Sequence, residues 1–150
     1  MPTFEPRDPN FEARCRDELA RQGLMGLIGA EIVRIEPGFC ELHLPYRREL
    51  TQQHGYYHAG MVSTLADNAG GYAAASLVPA DTEVLAVEFK INFLAPAKGE
   101  CLIARGRVLK PGRTLIVCAV DVFIRTDGQE KLCAAMQQTV MGLAGYGDRK

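Results

Sequence analysis

His58-Ala59-Gly60-Met61-Val62-Ser63-Thr64-Leu65-Ala66-Asp67-Asn68-Ala69-Gly70-Gly71-Tyr72-Ala73-Ala74-Ala75 is the stretch that decides the fold. Asp67 is its single charged residue, and nearly everything else is small or apolar. A helix with one face in water keeps charged side chains on that face, and this stretch has none to put there. It predicts a helix buried on most sides, with Met61, Leu65 and Tyr72 close to one stripe and Val62 and Ala69 beside it. Gly70-Gly71 should loosen its later turns.

A helix so enclosed needs a wrapping, and the flanking sequence supplies strands. Upstream, Ala30–Ile35 and Cys40–Leu44 are separated by the turn Glu36-Pro37-Gly38. In the second strand Cys40, Leu42 and Leu44 alternate with Glu41 and His43, the pattern of one buried face. Residues 45–57 read as a loop. Further upstream Phe11, Cys15, Leu19 and Leu24 recur at helical spacing, with Asn10 as candidate N-cap and Gly23, Gly26 and Gly29 breaking the pattern.

Downstream, Val87, Phe89, Ile91 and Phe93 alternate with Glu88, Lys90 and Asn92 within Val84–Leu94, and Pro96 and Gly99 end that strand. Leu102–Leu109, Thr114–Arg125 and Lys131–Leu143 follow, joined by the hairpin turns Lys110-Pro111-Gly112-Arg113 and Thr126-Asp127-Gly128-Gln129. The prediction is an α+β chain: an antiparallel β-sheet wrapped around a long central helix, with an N-terminal helix. Residues 1–8 are expected to be a flexible arm, 9–143 a single domain and 144–150 a tail.

Composition narrows the function. The 150 residues are 47% hydrophobic and 23% charged, with a net charge of −1, so bulk electrostatics gives no reason to expect nucleic acid or an anionic membrane as partner. No window approaches the ~20 apolar residues that span a bilayer. The polar N-terminus does not read as a signal peptide. Five scattered cysteines, none in a C-x-x-C pair, read as thiols in a reducing compartment, and the cytoplasm is the expected location.

Asp67 carries the chemical interest. A lone carboxylate among alanines and glycines is costly unless something satisfies or uses it; a structural Asp bonded to a neighbouring group and a functional one both remain open on position alone. The run His58 to Asp67, H-A-G-x-x-x-x-L-A-D, resembles the motif of hotdog-fold acyl-CoA thioesterases of the phenylacetate-degradation type. Val87-Glu88-Phe89-Lys90-Ile91-Asn92-Phe93-Leu94-Ala95-Pro96-Ala97 looks like their central strand ending in a Pro-Ala turn. Two motifs at compatible separation are more specific than either alone.

The resemblance implies roles. Asp67 matches the carboxylate that acts as nucleophile or as general base toward water. Ala59, where the usual residue is glycine, matches the backbone N–H that polarises the thioester carbonyl, and Gln52 an Asn or Gln that helps hold the carbonyl or the water. His58, the motif histidine, is expected at the substrate with Gly60 and Tyr57. Ala86 and Gly71 stand where other members carry serine and threonine, so no second side chain behind Asp67 is named. The implied partner is an acyl-CoA, with no cofactor and no metal. Such a set suffices for a thioester, because a thiol of pKa about 8.5 leaves readily as thiolate.

His54 and His58 lie four apart, but without H-E-x-x-H they read better as loop and cap residues than as a metal pair. The cysteines lack a histidine partner at a recognisable spacing, and Ser63 lacks a G-x-S-x-G setting. Tyr56 and Tyr57 could line an acyl pocket or form a hydrophobic staple. Among Lys90, Arg105, Arg107, Lys110 and Arg113, Lys90 and Arg113 are the candidates for CoA phosphates, against plain strand-edge solvation. The alternatives in function are a hotdog hydratase or dehydratase and a non-catalytic acyl-CoA-binding protein.

Geometry adds one expectation. Ala59 and Asp67 are eight residues apart, about 12 Å along a helix at about 1.5 Å per residue, whereas attack on a carbonyl carbon needs ~3–3.5 Å. A homo-oligomer, a dimer or a tetramer, is therefore expected, with each site built from Asp67 of one subunit and Ala59 and Gln52 of the other.

Overall fold

The computed structural model describes residues 3–146. The expected arm is held down within the described part: the Phe4 ring packs over Gly38, and Asp8 is buried. Gly38 has φ 79° and a Cβ there would fall 2.4 Å from the Phe4 ring, so both the turn and the packing require glycine.

Helix α1 spans Phe11–Arg21 and buries Cys15 and Leu19. Asn10 precedes it but its side chain makes no capping bond; Asp8 fixes the entry to the helix instead, its carboxylate accepting the Asn10 N–H at 2.9 Å and the Arg14 Nε–H at 2.8 Å. The chain turns extended at Gln22 and restarts as α2, Gly23–Ile28, so Leu24 leaves the α1 stripe and is exposed. Gly29, at φ 80°, closes α2 in the left-handed conformation.

Strands β1 (Glu31–Glu36) and β2 (Phe39–Pro45) form a hairpin, and Cys40, Leu42 and Leu44 are its buried face. The connecting loop includes a 3-10 turn at Arg48–Leu50. Helix α3 spans Ala59–Ala75 and continues unbroken through Gly70-Gly71, against the expected loosening. The reason is close approach. A Cβ at Gly106 would lie 2.3 Å from the Ala69 carbonyl oxygen, so glycine there lets the helix backbone rest directly on the sheet.

Strands β3 (Thr82–Phe93), β4 (Cys101–Pro111), β5 (Leu115–Thr126) and β6 (Gln129–Ala144) complete a six-stranded sheet in the order β1-β2-β4-β5-β6-β3, antiparallel at each pairing. Asp127 (φ 50°) and Gly128 (φ 74°) give the β5–β6 hairpin its type I′ turn. The sheet wraps α3, burying it against Leu42, Leu44, Ala104, Val108, Val120 and Val122.

Strand β3 departs from what its alternation suggests. It lies at the sheet edge, paired with β6 on one side, and Val87, Phe89 and Phe93 are 52%, 43% and 51% exposed. Alternation records that a face is apolar, not which chain covers it. Among the described residues no helix is long and apolar enough to cross a membrane.

Candidate active site

Two pieces of chemistry lie at opposite ends of the first half of α3. The first is the helix start. Thr51 pairs with Tyr57, and the Leu50 carbonyl accepts the His58 N–H at 2.9 Å, stitching the loop that carries Gln52 to the N-terminus of α3. Gly55, at φ 81°, lets that loop turn within a few residues. His58 is the N-cap: its Nδ1 accepts the Gly60 N–H at 2.8 Å. The Met61 and Val62 amides both reach the His58 carbonyl, and among the described residues no acceptor takes the Ala59 N–H. An exposed, unclaimed N–H at a helix N-terminus is a donor for developing negative charge.

Gln52 turns its Oε1 onto the His54 N–H, and its Nε2 has no hydrogen-bond partner among the described residues. Tyr57 goes elsewhere. It is buried in the core, its hydroxyl donating to the Leu44 carbonyl at 2.8 Å and its ring edge-on to Tyr46.

The second piece is Asp67, two turns further on. It stands at the wall of an open cavity of about 590 Å³ bordered by α3, β6, the edge strand β3 and α1. Val84, Leu85 and Val140 give that cavity apolar walls; Gly71 and Ala86, the positions without the family's threonine and serine, also line it. Gln22, at the α1–α2 joint, donates to Asn68 Oδ1 at 3.0 Å and to the Tyr72 hydroxyl at 2.8 Å, fastening the N-terminal helices over α3.

Burial pushes the Asp67 carboxyl above the ordinary carboxylate range, and a hydrogen bond from Gln138 Nε2 to Asp67 Oδ1 works against that shift. Gln138 is the residue that sequence reasoning missed. It is fully buried on β6, at the inward register of Ala134, Met136 and Val140. Parity was the available signal, obscured by the run Gln137-Gln138-Thr139, which looks uniformly polar.

The structure thus joins Gln52, His58, Ala59 and Gly60 at one end and sets Asp67 at the other, with none of those four lining the Asp67 cavity. Lys90 is exposed on β3 with Nζ on Asn92 Oδ1 at 2.8 Å. Arg113 lies beside a separate cavity of about 150 Å³. Arg105 bonds Glu41 and Glu130, and Arg107 bonds Asp121. Burial raises the thiols of Cys15 and Cys118 to about 12, which keeps them protonated and inert.

Residues 54–131 match the family model described as the thioesterase superfamily. The crystal structure of a thioesterase family protein from Silicibacter pomeroyi shares 50% identity and superposes with a TM-score of 0.88 over 90% of this chain and 99% of that one. The 1,4-dihydroxy-2-naphthoyl-CoA hydrolase of Listeria monocytogenes is 30% identical over 79% of this chain and 94% of that protein. The E. coli PaaI protein from the phenylacetic acid degradation operon, at 20% identity, shares the fold with a TM-score of 0.82 over 91% of this chain and 95% of that one.

Proposed function

The chain belongs to the thioesterase superfamily, and from that premise we propose that it hydrolyses an acyl-CoA to the free acid and CoA, with the Asp67 carboxylate driving the attack. The observation that carries this reading is a partly buried carboxylate at the wall of a cavity of about 590 Å³, on a helix otherwise free of charge.

Asp67 either attacks the thioester carbonyl carbon, giving a mixed anhydride that water then opens, or removes a proton from the water that attacks. In both routes the carbonyl oxygen becomes an oxyanion, the C–S bond breaks and CoA leaves as thiolate. The oxyanion needs donors, and the Ala59 N–H and Gln52 Nε2 are the free ones at the helix start. The Ala59 N–H lies about 12 Å along the axis from Asp67 of the same chain, and Gln52 sits in the loop before that helix start. The site is therefore completed by a second copy, whose Ala59 and Gln52 face Asp67.

The uncovered apolar edge of β3 supports that assembly, since a long, exposed, apolar edge strand is normally paired or shielded. Val84, Leu85 and Ala86 of the same strand line the Asp67 cavity, so a copy docked on this edge abuts the carboxylate. The CoA phosphates would meet the cations without a carboxylate partner among the described residues, Lys90 and Arg113 included. His58 spends Nδ1 on its own helix cap, nine residues from Asp67, which weighs against a histidine–carboxylate hydratase.

The test is thiol release from a panel of acyl-CoAs, aryl members such as 1,4-dihydroxy-2-naphthoyl-CoA and phenylacetyl-CoA beside short and medium aliphatic chains. Hydrolysis of at least one, lost in Asp67→Asn, is expected; a panel left intact by folded protein contradicts the reading.

A further inference from the structure

Gln138 has no place in the chemistry just derived, yet it is the one side chain bonded to Asp67 among the described residues. It is fully buried, and its Oε1 has no hydrogen-bond partner among those residues. An amide in that position gives the fold little: its oxygen is desolvated and unpaired, which destabilises, and an apolar side chain of equal length would fill the same space. The orientation is also informative. Turned over, the amide would set Oε1 against a carboxylate oxygen; as placed, it keeps an N–H on Asp67 and leaves its oxygen orphaned. That choice favours an ionised Asp67. The fold makes room for it, because a Cβ at Gly70 would fall 2.1 Å from Oε1 and 3.1 Å from Val120.

We propose that Gln138 is the positioning residue of the site: its amide holds the Asp67 carboxylate in one orientation at the cavity wall, and residue 70 is glycine to admit it. Gln138 touches no reacting atom. It acts through Asp67, fixing the carboxylate and favouring the charged form that both routes of attack require. Its relevance to catalysis rests on the thioesterase reading; its effect on Asp67 does not.

The other titratable groups around the cavity are Glu18 and Arg21 on α1, Tyr72 on α3, Glu83 on β3 and Tyr146 after β6. The inward faces of β2 and β5 add the thiols of Cys40 and Cys118, which burial keeps neutral. None of these supplies the hydrogen bond to Asp67 that Gln138 makes.

The experiment is a carboxyl-carbon NMR titration of aspartate-labelled full-length protein, with Asp67 assigned by its disappearance in Asp67→Asn, run on wild type and Gln138→Met. Methionine keeps the length and removes the donor. A hydrogen bond to a charged group is expected to hold the midpoint down by about one to two pH units, so Asp67 should titrate that much higher in the variant. Below the Asp67 midpoint thermal stability should be unchanged or greater, since the orphaned oxygen has gone; above it the raised midpoint works against the folded state. The acid limb of kcat/KM, followed by loss of thioester absorbance, should move upward with the midpoint. An unmoved Asp67 midpoint overturns the proposal, as does a drop in thermal stability with the pH profile unchanged.

Should Gln138→Met fail to fold, Gly70→Ala tests the same point by pushing the intact amide off Asp67, with the same upward shift expected and an unmoved midpoint again decisive. A shifted midpoint in a protein that hydrolyses no acyl-CoA would leave the positioning role standing and remove the thioesterase reading. Asp67-dependent hydrolysis with an unmoved midpoint would do the reverse.

Discussion

Asp67 shows how far a single residue can be read. One charge in an uncharged helix marks a candidate site before any coordinates exist, because burial must be offset by a partner or by a use. The partner was not legible. Whether Gln138 faces inward depends on the register of β6, which shifts against β5 at Val122/Phe123 and against β3 at Ala86/Glu88, and the polar run Gln137-Gln138-Thr139 masks the parity that would have shown it. With its carboxyl raised by burial, Asp67 titrates higher in the folded chain than in the unfolded one. The fold therefore penalises the ionised form: the penalty is fully present above the folded pKa and absent below the unfolded value of about 3.9. Asp67→Asn should accordingly melt at a higher temperature than wild type at neutral pH, with the gain fading as pH falls into the carboxylate range, while turnover drops about 10²-fold or more. Melting curves at neutral and acid pH, beside the rate, check both halves. Gln52 is the second residue-scale case. With its Oε1 tied to His54, it offers Nε2 alone. Gln52→Ala should lower kcat by ~10²–10³, less where the helix N-terminus shares the load, and leave KM comparatively unchanged. A change confined to KM would make it a binding residue instead.

Elements were legible where periodicity was clean. The hairpin of β1 and β2 was expected from Cys40, Leu42 and Leu44, and the buried helix from its missing charges; both are present. The break at Gly23 was expected from its glycine; the restart as a second helix after the extended backbone at Gln22 was not, because the apolar spacing runs on to Leu24. The glycines of α3 misled for a related reason. Helix propensity counts Gly70-Gly71 as a weakness, whereas the structure uses Gly70 and the facing Gly106 to bring helix and sheet together. This contact is testable. Gly106→Ala puts a methyl group into the Ala69 carbonyl and should cost about 1–3 kcal/mol or more of stability in denaturant unfolding. A variant as stable as wild type would mean that the helix does not rest on β4 as described.

At the scale of the whole molecule, sequence order hides sheet order. The chain leaves β2, crosses through α3 and re-enters at the far edge, so β3 pairs with β6 while β2 pairs with β4. That crossover leaves the most regular alternation in the sequence on an open edge, beside the Asp67 cavity and away from its own helix start. On the proposed reading, a carboxylate without oxyanion donors and a set of donors without a carboxylate would make one site where two chains meet. Complementation tests this directly: Asp67→Asn and Gln52→Ala chains are unfolded, mixed in equal amounts and refolded, with mixed dimers verified by a tag on one parent. Each mixed dimer would hold one doubly damaged site and one intact site, so random pairing should restore about a quarter of wild-type hydrolysis from two nearly inactive parents. Activity no higher than the average of the parents, in a sample where mixed dimers have formed, would contradict the shared site.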